Sequence, residues 1–212
     1  MVIAIDGPAG AGKSTVARGV ARALGFTYLD SGAMYRTVAL AALERGIDPD
    51  DGERLGELAW DLDIDFDDDT IRLDGAAVEG RIRSPEVTVA ASRVSVHPQV
   101  RQAMVKRQRE LIAAGNYVAE GRDIGTVVSP DSPLKVFLTA TEEERARRRA
   151  AETGESVARV REAIDERDRR DTGREHGALR AAEDSVALDT TDLTLDQVVG
   201  RIAELARDRG LS

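Results

Sequence analysis

The stretch VIAIDGPAGAGKST, residues 2–15, decides the fold. VIAID reads as a short buried strand, and the run behind it carries Gly7, Gly12, Lys13 and Ser14 in the order G-x-x-x-x-G-K-S/T. Each residue type has a physical reason. Glycines let consecutive backbone N–H groups turn inward around phosphate oxygens with no Cβ in the way. A helix opening near Lys13 aims its positive end at the same oxygens. The Lys13 ammonium can bridge β- and γ-phosphates, and the Ser14 hydroxyl can reach a Mg2+ ion that arrives with the nucleotide. Gly7, Pro8, Ala9, Gly10, Ala11, Gly12, Lys13, Ser14 and Thr15 are thus the expected ATP loop. A flexible surface turn is the bland alternative. Against it, the run follows a strand, opens a helix and uses one of only three lysines in the chain, the others being Lys106 and Lys135.

Outward from the loop, residues 15–24 have helical spacing and stop at Gly25, FTYLD (residues 26–30) suits a second strand, and residues 33–45 form a second helix ahead of Gly46. Strand, loop, helix, strand, helix is the opening of an α/β fold with a parallel sheet flanked by helices. The middle differs. DLDIDFDDD alternates Leu62, Ile64 and Phe66 with aspartates, and TIRLDG and AAVEGRIR add short strands around a turn at Asp74 and Gly75. This predicts a small antiparallel β-containing insert at about residues 61–98 within a single unit of residues 1–212. Helices opened by Pro85 and Pro98 follow, since proline is tolerated in a first helical turn. YVAEG and LKVFLTA return to buried strands, residue 142 onward is helical with a break at ETGES, SVALD is a last strand, and TLDQVVGRIAELARDRG a closing amphipathic helix.

Composition bounds the rest. The 212 residues are 42% hydrophobic but only 3% aromatic, so the core must rest on Val, Ile, Leu and Ala. Absence of cysteine excludes disulfides and thiolate metal sites. A net charge of −9 argues against a nucleic-acid partner. MVIAI is too short for a signal-peptide core and has no basic leader, and no apolar run suits a membrane span. The expectation is a cytoplasmic protein that binds neither membrane nor nucleic acid. Residues 61–69 do not fit an EF-hand: a loop from Asp63 would need glycine where Asp68 stands and glutamate where Asp74 stands. His97 and His176 lack metal spacing and read as structural, and Trp60 reads as a packing residue.

Guanine-specific switch proteins carry N-K-x-D and D-x-x-G. The single asparagine, Asn116, precedes Tyr117, and no aspartate has a glycine three residues on, so both are missing. A small-molecule kinase leads. Three further segments, LDSGAMYR (residues 29–36), EGRDIGTVV (residues 120–128) and ERDRRDTGR (residues 166–174), set arginines beside hydroxyls and carboxylates at predicted strand or helix ends, where parallel sheets bind ligands. Arginines also crowd between Arg145 and Arg174, although a solvated charged helix face would look the same.

With the glycine loop, and with AASRV, VRQAMVKRQR and KVFL between them, these segments resemble bacterial cytidylate kinases, a family of P-loop nucleoside monophosphate kinases, nearly end to end. The insert matches that family's enlarged acceptor-binding region. The resemblance implies transfer of a phosphoryl group from ATP to CMP, and to dCMP, by a monomer. Ser31, Arg36, Arg122 and Arg174 match positions that hold the acceptor phosphate, where guanidinium forks bind bidentately and offset repulsion between two polyanions. Ser92, Arg101 and Asp123 match positions that read cytosine, and Arg167 and Asp171 those that contact the ribose. Cytosine offers an amine at N4 and acceptors at N3 and O2, whereas uracil reverses the pattern at C4 and N3, so a carboxylate at the base should favour CMP over UMP. Catalysis then falls to Lys13, Mg2+, Arg122 and Arg174. No general base is required, because a phosphate monoester with a second pKa near 6 is mostly ionised at neutral pH. Residues of about 145–165 resemble a short helical lid, with Arg145, Arg148 and Arg149 as contacts to ATP. A kinase for UMP or another small metabolite, and a non-catalytic ATP-binding module, are the alternatives.

Overall fold

A computed structural model describes residues 1–67 and 69–211, so Asp68 lies outside the described residues. Two compact units emerge: Met1–Leu29 with Ala114–Ser212, and Asp30–Ala113. The expected insert, residues 61–98, falls inside the second.

The first unit is built on a sheet ordered β2-β6-β1-β7-β8. Its strands are β1 (Val2–Asp6), β2 (Thr27–Asp30), β6 (Tyr117–Gly121), β7 (Leu134–Thr139) and β8 (Val186–Asp189). β1 lies between β6 and β7, parallel to both, with Ile3 opposite Val118 and Leu134, and β8 runs parallel to β7. Every residue of β1 is buried, as expected for a strand covered on both faces. Ile3, Ile5, Val118, Val136 and Leu138 meet Val16 and Val20 of α1 (Lys13–Leu24) and Val198 and Ile202 of α8 (Leu195–Asp208) in one apolar core. Burying each such side chain contributes roughly 1.5–3 kcal/mol, which lets a unit poor in aromatics hold together. α8 begins at a full capping box, with the Thr194 hydroxyl accepting from Gln197 N–H and the Gln197 side chain accepting from Thr194 N–H. The helices α6 (Glu142–Thr153) and α7 (Val157–Thr172) complete this unit and break at Gly154, in the middle of ETGES.

The second unit holds α2 (Ser31–Glu44), α3 (Gly52–Asp61), an antiparallel sheet of β3 (Ile64–Asp67), β4 (Thr70–Leu73) and β5 (Ala76–Ala77), then α4 (Pro85–Val94) and α5 (Pro98–Ala113). Side-chain caps start three of the helices: Asp30 accepts from Ala33 N–H, Asp51 from Arg54 N–H and Ser84 from Val87 N–H. Asp74 and Gly75 turn the β4–β5 hairpin with positive φ at both residues. Two expectations need correction. AAVEGRIR gives only the two-residue β5, and the chain then winds through turns because its apolar residues, Val78 and Ile82, are buried four apart rather than in alternation. Trp60 is not packed inside: it ends α3 at 49% exposure with the Lys106 ammonium 6.0 Å from its ring. His97 is structural as expected, its Nε2 sitting 2.9 Å from the Pro49 carbonyl. Among the described residues no helix is long and apolar enough to cross a membrane.

Candidate active site

The glycine loop leaves the C-terminal end of β1 and turns into α1. Its shape is forced by close approaches. A Cβ on Gly7, where φ is 152°, would stand 2.2 Å from the Leu138 carbonyl oxygen. A Cβ on Gly10, where φ is 76°, would stand 2.9 Å from the Arg145 carbonyl oxygen. Neither site tolerates a side chain without moving backbone, so the loop is wedged between β7 and the first turn of α6. The helix it opens presents backbone N–H groups, a natural seat for anionic oxygens.

Lys13 is buried and donates to the Pro8 carbonyl at 2.7 Å. Burial, and after it the positive charge of Arg122, pulls its ammonium down to about 7, with Glu120 acting the other way. Beside it, Ser14 Oγ donates to Glu120 Oε1 at 2.5 Å, and the buried Tyr28 hydroxyl reaches the same oxygen at 3.1 Å. The Tyr28 ring in turn lies 4.8 Å beneath the Arg18 guanidinium. A hydroxyl and a carboxylate side by side form an oxygen donor set suited to a hard cation such as Mg2+, which keeps several waters and needs only one or two protein ligands. These residues fit that ion.

Two of the three arginines expected at the acceptor phosphate, Arg122 and Arg174, gather on one carboxylate together with Arg167, which was expected at the ribose. Asp171 is 1% exposed. It accepts from Arg122 Nε at 2.8 Å through Oδ2 and from Arg174 through Oδ1, with Arg167 Nε 4.0 Å away. Burial alone would raise its carboxyl, but Arg122 first, then Arg174 and Arg167, hold it below its ordinary value. Burial disfavours the Arg122 charge, yet the charge and hydrogen bond of Asp171 outweigh it and raise that pKa. Three guanidiniums around a single carboxylate leave a surplus of positive charge next to Lys13, the condition a pair of phosphates requires.

Asp123 is also buried, and the chain around it is held by a residue the sequence reading overlooked. Both oxygens of Asp6 are engaged: Oδ1 accepts from Ile124 N–H at 2.9 Å and Oδ2 from Gly125 N–H at 2.8 Å. Burial pushes Asp6 up to about 6 against the pull of these two amides. Ile124–Val128 is a π-helical turn, with Val127 and Val128 N–H both directed at the Asp123 carbonyl. A lone carboxylate at the end of the otherwise apolar VIAID was the one available signal for Asp6.

The three expected lid arginines part company. Arg145 is buried, donates to the Ala9 carbonyl at 2.9 Å and pairs with Asp168. Arg148 donates to Thr190 Oγ1 at 2.9 Å and to its carbonyl at 2.6 Å, and pairs with Glu144, while its Nη1 lies 3.9 Å from a Cβ placed on Gly12. Arg149 pairs with Glu152 at 2.9 Å on the outside of α6. Ala9 N–H turns onto Asp168 Oδ1 at 3.0 Å. Asp168 also escaped sequence reading, being one acid among many in ERDRRD.

In the second unit, Ser31 is the buried first residue of α2, and Arg36, one turn on, donates to its cap Asp30 at 2.8 Å. The buried Arg101 guanidinium lies 5.8 Å from the Tyr35 ring, and Ser92 is buried on α4 with its carbonyl accepting from Ser95 Oγ at 3.1 Å.

The family model described as cytidylate kinase matches residues 3–208. The cytidylate kinase of Nitrosomonas eutropha is 46% identical over 99% of this chain and 96% of its own length. That of Caldanaerobacter subterraneus subsp. tengcongensis is 49% identical over 97% of this chain and 94% of its own. Among solved structures, a sugar kinase from Janibacter sp. HTCC2649 aligns over 100% of this chain and 97% of its own with a TM-score of 0.53 at 15% identity, a likeness of fold alone.

Proposed function

This chain belongs to the cytidylate kinase family, and on that premise we propose that it transfers the γ-phosphoryl group of ATP to CMP and dCMP, as a cytoplasmic monomer with Mg2+. The observation that carries the reading is the cluster on the first unit: Lys13 on the glycine loop, close enough to Arg122 and Arg167 to feel their positive charge, with Asp171 gathering Arg122 and Arg174. The phosphate loop receives ATP. Arg122 and Arg174 take the acceptor phosphate, the task that the family resemblance also gives to Ser31 and Arg36. Asp123, Ser92 and Arg101 read the base, and Arg167 the ribose, while Asp171, expected at the ribose with it, is assigned to holding Arg122 and Arg174, which occupy both of its oxygens. Ser14 and Glu120 hold Mg2+, which when bound neutralises charge on the phosphates. The protein's part is alignment and electrostatics, since the acceptor oxygen is already ionised near pH 7.

The direct test is ADP formation with a panel of nucleoside monophosphates. CMP and dCMP should stimulate it strongly and UMP weakly, and a flat panel would end this reading. Asp123→Asn puts an amide donor where the cytosine amine needs an acceptor. It should lower the CMP/UMP preference by about tenfold or more while leaving the KM for ATP within about twofold. An unchanged ratio removes Asp123 from base recognition.

Lys13 adds a pH signature. Its proton is lost near 7 in the free protein, and a polyphosphate beside it favours the charged form. Nucleotide binding at pH 8 therefore takes up a proton, and affinity falls as pH rises above 7. ATP titrations by calorimetry in buffers of different ionisation heat should give more than about half a proton taken up at pH 8 and little at pH 6. Heats independent of the buffer at pH 8 would show that Lys13 is already charged.

A further inference from the structure

Ala9 is gripped from three sides by the helical hairpin α6–α7. Its N–H donates to Asp168 Oδ1 on α7 at 3.0 Å. Its carbonyl accepts from Arg145 on α6 at 2.9 Å. Its methyl group sits among Ala150, Val160 and Ile164, a small buried cluster drawn from both helices. The two charged side chains are themselves paired, so one ion pair seals both polar groups of a single peptide-loop residue. Next door, the loop touches the α6 backbone at Gly10 with no space for a Cβ.

We propose that Asp168 is a positioning residue, which with Arg145 latches the phosphate loop to the α6–α7 hairpin and fixes the orientation of the Ala9 and Gly10 peptides for the β- and γ-phosphates of ATP. The geometry gives it this task. An anion cradle works only if its N–H groups are aimed before the ligand arrives, because reorienting them on binding costs affinity. Asp168 takes the Ala9 N–H out of the cradle and pins it outward, and Arg145 anchors the other end of the same residue. The peptide that follows, which carries Gly10 N–H, then has one orientation. Charge-assisted hydrogen bonds of this kind are among the stronger ones, and the pair is largely shielded from solvent. The latch also joins the hairpin to the loop, so the orientation of α6–α7 and the shape of the phosphate seat are set together.

The proposal rests on the ATP reading above, and its test separates the two. In the full chain without nucleotide, amide exchange followed by NMR should show Ala9 N–H protected. Asp168→Ala should speed its exchange by about tenfold or more, while the amides of Ile3 and Val136 in the sheet keep their protection. By calorimetry the Kd for MgATP should rise about tenfold, and the KM for CMP should stay within about twofold. Asp168→Asn keeps an oxygen for Ala9 and loses the charge for Arg145, so Ala9 stays protected and the MgATP Kd rises only a few-fold. It also covers the case in which Asp168→Ala folds poorly. Arg145→Met should weaken MgATP binding, and adding it to Asp168→Ala should cost little more, because the two act as one unit. An Ala9 exchange rate unchanged in Asp168→Ala would overturn the latch. A raised rate with unaltered MgATP affinity would overturn its positioning role. A wild-type protein that makes no ADP with CMP would instead overturn the reading beneath it, leaving the exchange result to stand alone.

Discussion

Lys13→Ala should lower CMP-dependent turnover by about 10³-fold, the scale on which removing one preorganised charge from a phosphoryl-transfer site is felt. The loss should lie in the chemical step, because among the described residues the hydrogen bond of the Lys13 ammonium goes to the Pro8 carbonyl of its own loop and not to the sheet or another helix. Stability should move the other way. The buried ammonium has its pKa pulled down to about 7, so folding carries the cost of a desolvated charge wherever Lys13 is protonated. Lys13→Met keeps the aliphatic stem and discards the charge, and it should melt at or above the wild type between pH 6 and 7. The sign with pH follows from linkage. Between the folded value near 7 and the unfolded value of 10.5, the unfolded chain holds more protons, so wild-type stability rises with pH and the gap to Lys13→Met closes. Steady-state kinetics together with thermal melts across pH 6–10 check both halves. A Lys13→Met protein that melts well below wild type at pH 6 would mean that the ammonium holds the loop together and that its kinetic effect is partly structural.

The phosphate loop was legible because its physics is local. Gly7, Gly12, Lys13 and Ser14 form the cradle within a single strand-to-helix turn, and neighbours add only exclusion, such as the Leu138 carbonyl beside Gly7. Strands buried on both faces, VIAID and LKVFLT, announce themselves through unbroken apolar runs for the same reason. What escaped is non-local. Asp6 matters because Ile124 and Gly125 approach from more than a hundred residues away. Asp168 matters because Ala9 reaches it across 159 residues. In the sequence one closes a strand and the other sits in a charged helix, so neither stands out from ordinary solvated acids. The arginines of α6 show the same limit. Arg145, Arg148 and Arg149 have one side chain in common, yet the structure gives one to Ala9, one to Thr190 and one to Glu152. Helical spacing puts them on neighbouring positions but says nothing of what each meets. The π-helical turn at Ile124–Val128 had no sequence signal, since its Val127 and Val128 amides meet at the Asp123 carbonyl beside two amides held by the distant Asp6.

Asp171→Ala should damage fold and catalysis at once, in contrast to Lys13→Ala. Its carboxylate is the common partner of Arg122 and Arg174, with Arg167 close by, and it is 1% exposed. Removing one member of a buried charge group leaves the others without compensation, at a cost of about 3–5 kcal/mol. For a chain of this size that corresponds to a fall in Tm of roughly 10 °C. The pH range follows from the direction of the shift. The carboxyl is held below its ordinary value of 3.8, so its stabilisation is fully present above that pH and is lost only as pH falls through the lower folded value. The deficit of the variant should therefore be constant from pH 5 to 8. Millimolar phosphate should raise the Tm of Asp171→Ala more than that of the wild type, because an anion then supplies the missing negative charge to the same guanidiniums. Turnover should drop by about 10²-fold as Arg122 and Arg174 lose their fixed aim. The acceptors distinguish two roles. A carboxylate that chiefly organises arginines affects CMP and dCMP alike, whereas one that grips the ribose 2′-hydroxyl lowers CMP turnover more. With both of its oxygens engaged by arginine, the expected outcome is an unchanged CMP/dCMP ratio alongside the loss of Tm. A variant melting within about 2 °C of wild type with a selectively weakened response to CMP would transfer Asp171 from the scaffold of the arginine cluster to direct recognition of the sugar.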